Sequence, residues 1–141
     1  ARAARQEAPA GSAIVEPVAA EEAADEVEFV HYFRVNSAAP RLSRYSIFTA
    51  EQARARYGPA PGPVWVTVRK TREVWLYHGV RVHLDDVDGL GAFLELEAPV
   101  TTPRPMSRCR ALVAELRAAL GPALGEPVTV SYSDLVASAP G

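Results

Sequence analysis

Residues 80–97, VRVHLDDVDGLGAFLELE, decide the fold, because two strands with alternating polar and apolar side chains flank a turn. Successive side chains of a strand lie on opposite faces, so every second residue shares a face. The first strand places three polar side chains on one face, namely Arg81, His83 and Asp85. Residues 88–91 (DGLG) have the composition of a turn. The second strand places Glu95 and Glu97 on one face, and together these features predict an antiparallel hairpin.

A hairpin of this kind must keep like faces together, which restricts its register. The register that we expect pairs Asp85 with Glu95 and His83 with Glu97. It gathers three carboxylates, a histidine and Arg81 into one polar patch.

The patch has the chemistry of a metal and phosphate site. Glu95 and Glu97 lie two residues apart, so they point the same way and can share a hard cation such as Mg²⁺ or Mn²⁺. Lys70 and Arg72 share one face of the preceding strand. Bases beside carboxylates are the groups needed to hold a triphosphate bridged by metal. The alternative is that these charges face solvent and pair across strands, which is common on antiparallel sheets.

The remaining sequence predicts an α+β domain of several antiparallel strands and two helices. Residues rich in β-branched and aromatic side chains predict further strands at 28–35, 41–48, 64–77 (one long strand or two) and 128–135. Thr49 begins a short helix with a capping box to Gln52, and Gly58 ends it. A second helix follows from apolar residues at helical spacing: Met106, Leu112, Val113, Leu116 and Leu120.

Composition sets limits on the kind of protein. The chain has 141 residues, 48% hydrophobic and 23% charged, which suits one globular domain with its own core. Cys109 is the only cysteine and therefore excludes an internal disulfide. No apolar stretch is as long as a membrane span and no signal-peptide pattern opens the chain, so we expect a cytoplasmic protein that binds no membrane. No long basic stretch is present, which argues against a nucleic-acid partner; the oligomeric state stays open.

The basic residues are nearly all arginines, which favours the binding of a phosphate-containing ligand. Of the fifteen bases, Lys70 is the only lysine and the others are arginines. The arginine side chain offers a planar fork that binds phosphate through two hydrogen bonds, which suits a polyanion ligand. A preference for arginine codons is the alternative explanation.

Residues 80–97 closely resemble the signature hairpin of the CYTH superfamily, which includes class IV adenylate cyclases and thiamine triphosphatases. The shared pattern is an R-x-H-x-D strand, an acidic-GLG turn and an F-x-E-x-E strand. Four other segments resemble strands of the family in the same order: residues 28–34, 40–47, 68–77 and 131–135. The resemblance spans about residues 27–136, which we take as the domain, with residues 137–141 as a tail.

The resemblance implies an antiparallel β-tunnel, or barrel, with short flanking helices, whose inner bases grip a triphosphate or inorganic polyphosphate while acids hold Mg²⁺ or Mn²⁺. It implies metal ligands at Glu95 and Glu97, with Asp85 as a ligand or as the group that orients a ligand water. It implies phosphate contacts from four bases: Arg34, Lys70, Arg72 and Arg81. His83 and Arg44 would support the site, His83 as a wall residue bonded to a carboxylate.

The sequence also departs from the family pattern. Family members open with an E-x-E-x-K strand, whereas here the only E-x-E ahead of the hairpin is Glu26-Val27-Glu28, followed at the next alternate position by Val30. We therefore expect the opening strand to be absent and residues 1–26 to comprise a degraded second strand and a poorly ordered Ala/Glu/Pro-rich insert. Both a fragment of a longer protein and a natural relic fit this pattern.

Three classes of function remain open on the sequence. The first is a metal-dependent enzyme acting on a triphosphate such as ATP, thiamine triphosphate or tripolyphosphate, either a phosphohydrolase or a cyclase. The second is a catalytically degenerate domain that binds polyanions without turnover. The third is a structural or partner-binding domain.

Overall fold

A computed structural model of the chain describes residues 16–17, 29–33, 36–59 and 62–140. Its strands are β1 (Glu16–Pro17), β2 (Phe29–Phe33), β3 (Arg44–Phe48), β4 (Lys70–Tyr77), β5 (Val80–Val87) and β6 (Gly91–Glu97). Its helices are α1 (Ala50–Tyr57), α2 (Met106–Leu120) and α3 (Tyr132–Ser138), with a 3₁₀ turn at Gly121–Ala123. The predicted α+β class with antiparallel sheets is confirmed.

Two separate antiparallel sheets are present in the described part of the chain. The larger has the strand order β1-β4-β5-β6, and the smaller consists of β2 and β3. β1 pairs with β4 at Leu76 and Trp75 and lies within residues 1–26, which were predicted to comprise a degraded second strand and a poorly ordered insert. A closed barrel was expected, but the strands among the described residues do not close into one.

One face of the larger sheet forms the core by packing on α2. Tyr77, Val80 and Val82 contact Leu112 and Leu116 of that helix, and all five are buried. Burying an apolar side chain of this size stabilises the fold by about 1.5–3 kcal/mol. The apolar residues at helical spacing in α2 therefore pack on the apolar residues that alternate along β5. The opposite face of the sheet is left for polar residues.

The hairpin β5–β6 adopts a register two residues from the predicted one, so that prediction was wrong. The observed pairs are Arg81 with Glu97, His83 with Glu95 and Asp85 with Phe93. The cause lies in the turn, where Gly89 and Gly91 have φ of 77° and 95°, a conformation that glycine adopts readily. These glycines allow a short loop of residues 88–90, closed by a 3.0 Å hydrogen bond from the Leu90 N–H to the Val87 carbonyl. Both registers keep the same side chains on the same face.

The strand predicted at 128–135 was also wrong, because residues 132–138 form α3. The Ser131 hydroxyl accepts a hydrogen bond from the Asp134 N–H, and the Asp134 carboxylate accepts one from the Ser131 N–H. This capping box satisfies backbone groups at the start of a helix and outweighs the strand propensity of the short run.

The other predicted elements hold with shorter bounds. The capping box between Thr49 and Gln52 begins α1, and the chain leaves the helix at Gly58, as predicted. β3 begins at Arg44 rather than at residue 41, and β4 begins at Lys70, because residues 62–69 have no regular structure. In the part of the chain that the structure describes, no helix has the length and apolar character needed to cross a membrane.

Candidate functional site

The face of the larger sheet that points away from α2 gathers the predicted site residues, and we call it the polar face. The register places Arg72 opposite Asp85 and His83 opposite Glu95, so these residues share this face. Its charged and titratable residues on β4, β5 and β6 are Lys70, Arg72, Arg81, His83, Asp85, Glu95 and Glu97.

Asp85 is the centre of the polar face. Its residue is only 2% exposed, so its charge needs partners within the protein. The Arg72 guanidinium donates to both carboxylate oxygens, from Nε to Oδ1 and from Nη2 to Oδ2, each at 2.6 Å. The Tyr132 hydroxyl donates to Oδ2 at 2.8 Å, and Lys70 Nζ lies 3.4 Å from the same oxygen. The carboxylate therefore accepts four hydrogen bonds.

These partners decide the protonation of Asp85. Burial by itself would raise the pKa of the carboxyl group, but the hydrogen bonds from Arg72 and Tyr132 and the charges of Arg72 and Lys70 outweigh it. The pKa falls from an ordinary value of 3.8 to about 2. Asp85 is consequently ionised throughout the physiological range.

Arg72 links Asp85 to the acidic strand β6. Its Nη2 also lies 2.8 Å from Glu95 Oε2, so one guanidinium joins two carboxylates. The hydrogen bond to Asp85 raises the pKa of Arg72 against the opposing effect of burial. The pKa of Glu95 is lowered, first by the neighbouring His83 and then, against burial, by the charges of Arg72 and Lys70.

His83 lies between the two glutamates of β6. Its Nδ1 is 3.7 Å from Glu95 Oε2, and its Nε2 is 3.5 Å from Glu97 Oε2. The residue is 5% exposed, and Nδ1 has no hydrogen-bond partner in the described part of the chain. Arg81 completes the row, with Nη1 at 3.6 Å from Glu97 Oε1.

Tyr132, at the start of α3, is a site residue that the sequence analysis missed. Besides its bond to Asp85, its ring lies 4.9 Å from Lys70 Nζ and 5.1 Å from the Phe93 ring. Burial raises the pKa of Tyr132 strongly and the bond to Asp85 adds to this, so the hydroxyl remains protonated and acts as a donor. The S-x-x-D sequence at Ser131 could have revealed it, because this capping box starts a helix at residue 132.

Two predicted residues remain, and the structure describes only one of them. Arg34 lies outside the described residues. Arg44 is exposed on β3, in the smaller sheet, opposite Phe33. It forms no ion pair with any residue of the polar face in the described ranges.

Metal ligation by the acidic residues of the polar face remains a prediction. Among the described residues, no group of three His, Cys, Asp or Glu side chains has the arrangement to hold a metal ion. Glu95 and Glu97 nevertheless lie on one face two residues apart, with carboxylates that suit a hard divalent ion. Asp85 as a metal ligand remains a prediction, and in this conformation its oxygens are taken by Arg72, Lys70 and Tyr132.

The chain matches a known protein family. A family model described as the CYTH domain matches residues 16–122, which include both strands of the hairpin and α2. No curated protein and no solved structure matches the chain.

The Asp85 network predicts a defined dependence of stability on pH. Because the folded pKa lies below the ordinary value, the ionised carboxylate stabilises the fold above pH 3.8, and this stabilisation is lost as the pH falls through about 2. Asp85→Asn should lower the free energy of unfolding at neutral pH by about 2 kcal/mol and remove the pH dependence that this group causes. Urea unfolding at a series of pH values measures both effects.

Asp86→Asn is the matched control, because Asp86 is exposed and sits on the other face of β5. It should leave the free energy of unfolding within about 0.5 kcal/mol of the parent. Equal effects of the two substitutions would contradict the role given to Asp85.

Proposed function

Because the chain belongs to the CYTH family, we propose that the polar face is one wall of a tunnel that binds a triphosphate. At the family level, the domain indicates binding of triphosphates together with a divalent metal. In this chain the phosphate contacts would come from Lys70, Arg72 and Arg81. The ligand would be a nucleoside or thiamine triphosphate or an inorganic polyphosphate.

The observation that carries the proposal is the way Arg72 is held. Asp85 fixes the guanidinium through two hydrogen bonds, and Glu95 takes a third. Arg72 Nη1 makes no hydrogen bond to any described residue, so it keeps donors for a ligand. A guanidinium that is already oriented loses little entropy when it binds a phosphate.

Lys70 extends the same cationic surface. Its side chain is 30% exposed and that of Arg72 is 29% exposed, so both can be reached from solvent. Arg81 is half exposed at the other end of the row and has a longer contact with Glu97. Three bases along adjacent strands suit an extended chain of phosphates better than a single phosphate.

Mg²⁺ or Mn²⁺ is the proposed cofactor, and Glu95 and Glu97 are its proposed ligands. Two carboxylates make only part of a coordination shell, and Mg²⁺ commonly completes its shell with water and substrate phosphates. When bound, such an ion would neutralise charge on the phosphate oxygens and act as a Lewis acid. His83 Nδ1, 3.7 Å from Glu95 Oε2, has no hydrogen-bond partner among the described residues, which supports a polar ligand beside Glu95.

Two reactions are compatible with this arrangement. In hydrolysis, water attacks the terminal phosphorus and loses a proton, the bond from this phosphorus to the bridging oxygen breaks, and the diphosphate portion leaves while orthophosphate is formed. In cyclisation, the ribose 3′-hydroxyl of ATP attacks the α-phosphorus, loses its proton and displaces pyrophosphate. In either case Lys70, Arg72 and Arg81 would hold the phosphates and stabilise developing negative charge.

The second candidate is a domain that binds polyanions or a protein partner without turnover. It is favoured by the lack of a three-ligand acidic cluster among the described residues. A site with two carboxylates would hold metal weakly, and loss of one charge-stabilising group can reduce a rate by about a hundredfold or more. Product analysis with tripolyphosphate and with ATP, in Mg²⁺ and in Mn²⁺, separates the two candidates.

The cationic role of Lys70 can be tested by calorimetry. Tripolyphosphate should bind at low salt with a dissociation constant in the micromolar range or weaker, and added salt should weaken it. Lys70→Gln should weaken binding about tenfold, the effect of losing one charge-assisted contact. Arg69→Gln is the matched control: Arg69 is exposed and adjacent, but precedes β4. Equal losses of tripolyphosphate affinity in the two variants would indicate general attraction of the anion to positive charge instead of binding at a defined site.

The metal role of Glu95 and Glu97 needs a different measurement. Tripolyphosphate binding should be tighter with Mg²⁺ or Mn²⁺ than with the metal chelated, since metal and phosphates complete each other's coordination. Glu95→Gln combined with Glu97→Gln should abolish this difference while metal-free binding persists. The control changes two acids on the opposite face, Glu73→Gln with Asp86→Asn, and should keep the difference. A double glutamine variant with an unchanged metal effect would refute the assignment.

A further inference from the structure

A second basic surface lies where the β4–β5 turn meets the start of α2, the helix that packs on the face of the sheet opposite the polar face. A cavity of about 270 Å³, open to solvent, is lined there by His78, Thr101, Pro103, Arg104, Arg108 and Leu112. We call it the turn cavity. None of its lining residues belongs to the polar face, and none is acidic.

Arg104 is fixed in place at the turn cavity. Its Nη1 donates to the His78 carbonyl at 2.9 Å, and its Nε donates to the Pro99 carbonyl at 3.1 Å. The guanidinium lies directly against Gly79, where an added Cβ would come within 1.8 Å of Nη1. Gly79 also has φ of 80°, so both the backbone and the contact require glycine. The turn thus holds the Arg104 guanidinium in a fixed orientation.

Arg108 adds a second cation, for which no acidic partner is found among the described residues. It is exposed in the first turn of α2, and it forms no ion pair with a described residue. Glu115 lies on the same helix, but its carboxylate accepts a hydrogen bond of 2.6 Å from the Tyr77 hydroxyl. Two arginines and His78 therefore line one cavity, and no acidic residue is among the residues that line it.

The backbone at the N-terminus of α2 adds positive partial charge beside the two arginines. α2 begins after Pro105, which offers no side-chain cap, and its first turn contains no acid. The N–H groups of a first helical turn lack partners within the helix and favour negative charge.

From these contacts we infer that the turn cavity binds a phosphate group, separately from the triphosphate site proposed for the polar face. Arg104 would contribute donors in a fixed orientation, and Arg108 would contribute charge and further donors. The phosphate could come from free orthophosphate or from a small organic phosphate. The volume of the cavity leaves room for either.

Amide NMR on the full chain tests this inference with orthophosphate and glycerol phosphate as probes, at constant ionic strength set by sodium chloride. Amides at residues 78, 101, 104 and 108 should shift saturably. Arg108→Gln should weaken the response about fivefold, whereas Arg110→Gln, the same charge change at an exposed site on α2 outside the cavity, should alter it less than about twofold. Tighter binding of glycerol phosphate supports an organic phosphate as ligand, and equal or weaker binding supports the free ion.

Three results would overturn the inference. The first is the absence of saturable shifts at the turn cavity with either probe. The second is an equal loss in the Arg108 and Arg110 variants, which would mean general charge attraction. The third is a response confined to polar-face amides such as those of Arg72 and His83, and that result would leave the proposed triphosphate site standing.

Discussion

The pairing of Asp85 with Arg72 is the interaction on which the arrangement of the polar face depends. A carboxylate that is 2% exposed is costly unless its charge is matched and its oxygens are hydrogen-bonded. Arg72 supplies both requirements from the adjacent strand, and Tyr132 brings α3 to the same oxygen. The buried carboxylate of Asp85 thereby connects β5 with β4 and α3, and it sets the orientation of the Arg72 guanidinium.

The charges of the polar face are balanced within the protein. Three bases stand beside three acids on β4, β5 and β6, namely Lys70, Arg72, Arg81, Asp85, Glu95 and Glu97. A triphosphate that approached alone would bring negative charge towards the glutamates, and a metal ion alone would bring positive charge towards the arginines. Metal and triphosphate entering together offset part of each other's charge, which gives a physical reason why this face would favour the pair over either one.

The sequence was sufficient for the faces of the hairpin but not for its register. Alternation along β5 and β6 requires only that like faces meet, and two registers that differ by two residues meet this condition equally. The difference came from Gly89 and Gly91, whose backbone conformations permit a shorter loop than we expected. A rule that weighs turn length before side-chain pairing would have matched Asp85 with Phe93 and left it free to pair with Arg72.

The C-terminal error had a different cause. Residues 128–131 alternate and contain two valines, so the composition favours a strand, whereas a helix of seven residues has too little length to show a period. The only local signal for α3 was the capping box at Ser131, and missing it also hid Tyr132. Long-range contacts such as Tyr132 with Asp85, 47 positions apart, are set by tertiary packing and leave no spacing to read in one sequence.

The most direct test of the central claim, that Asp85 is the buried and ionised anchor of the polar face, is an NMR titration of its side-chain carboxyl carbon in the intact protein. The structure predicts a midpoint near pH 2, well below the ordinary value of 3.8, with Arg72 and Tyr132 resonances responding in the same step. A midpoint at or above 3.8, in protein shown to be folded through the titration, would contradict the claim.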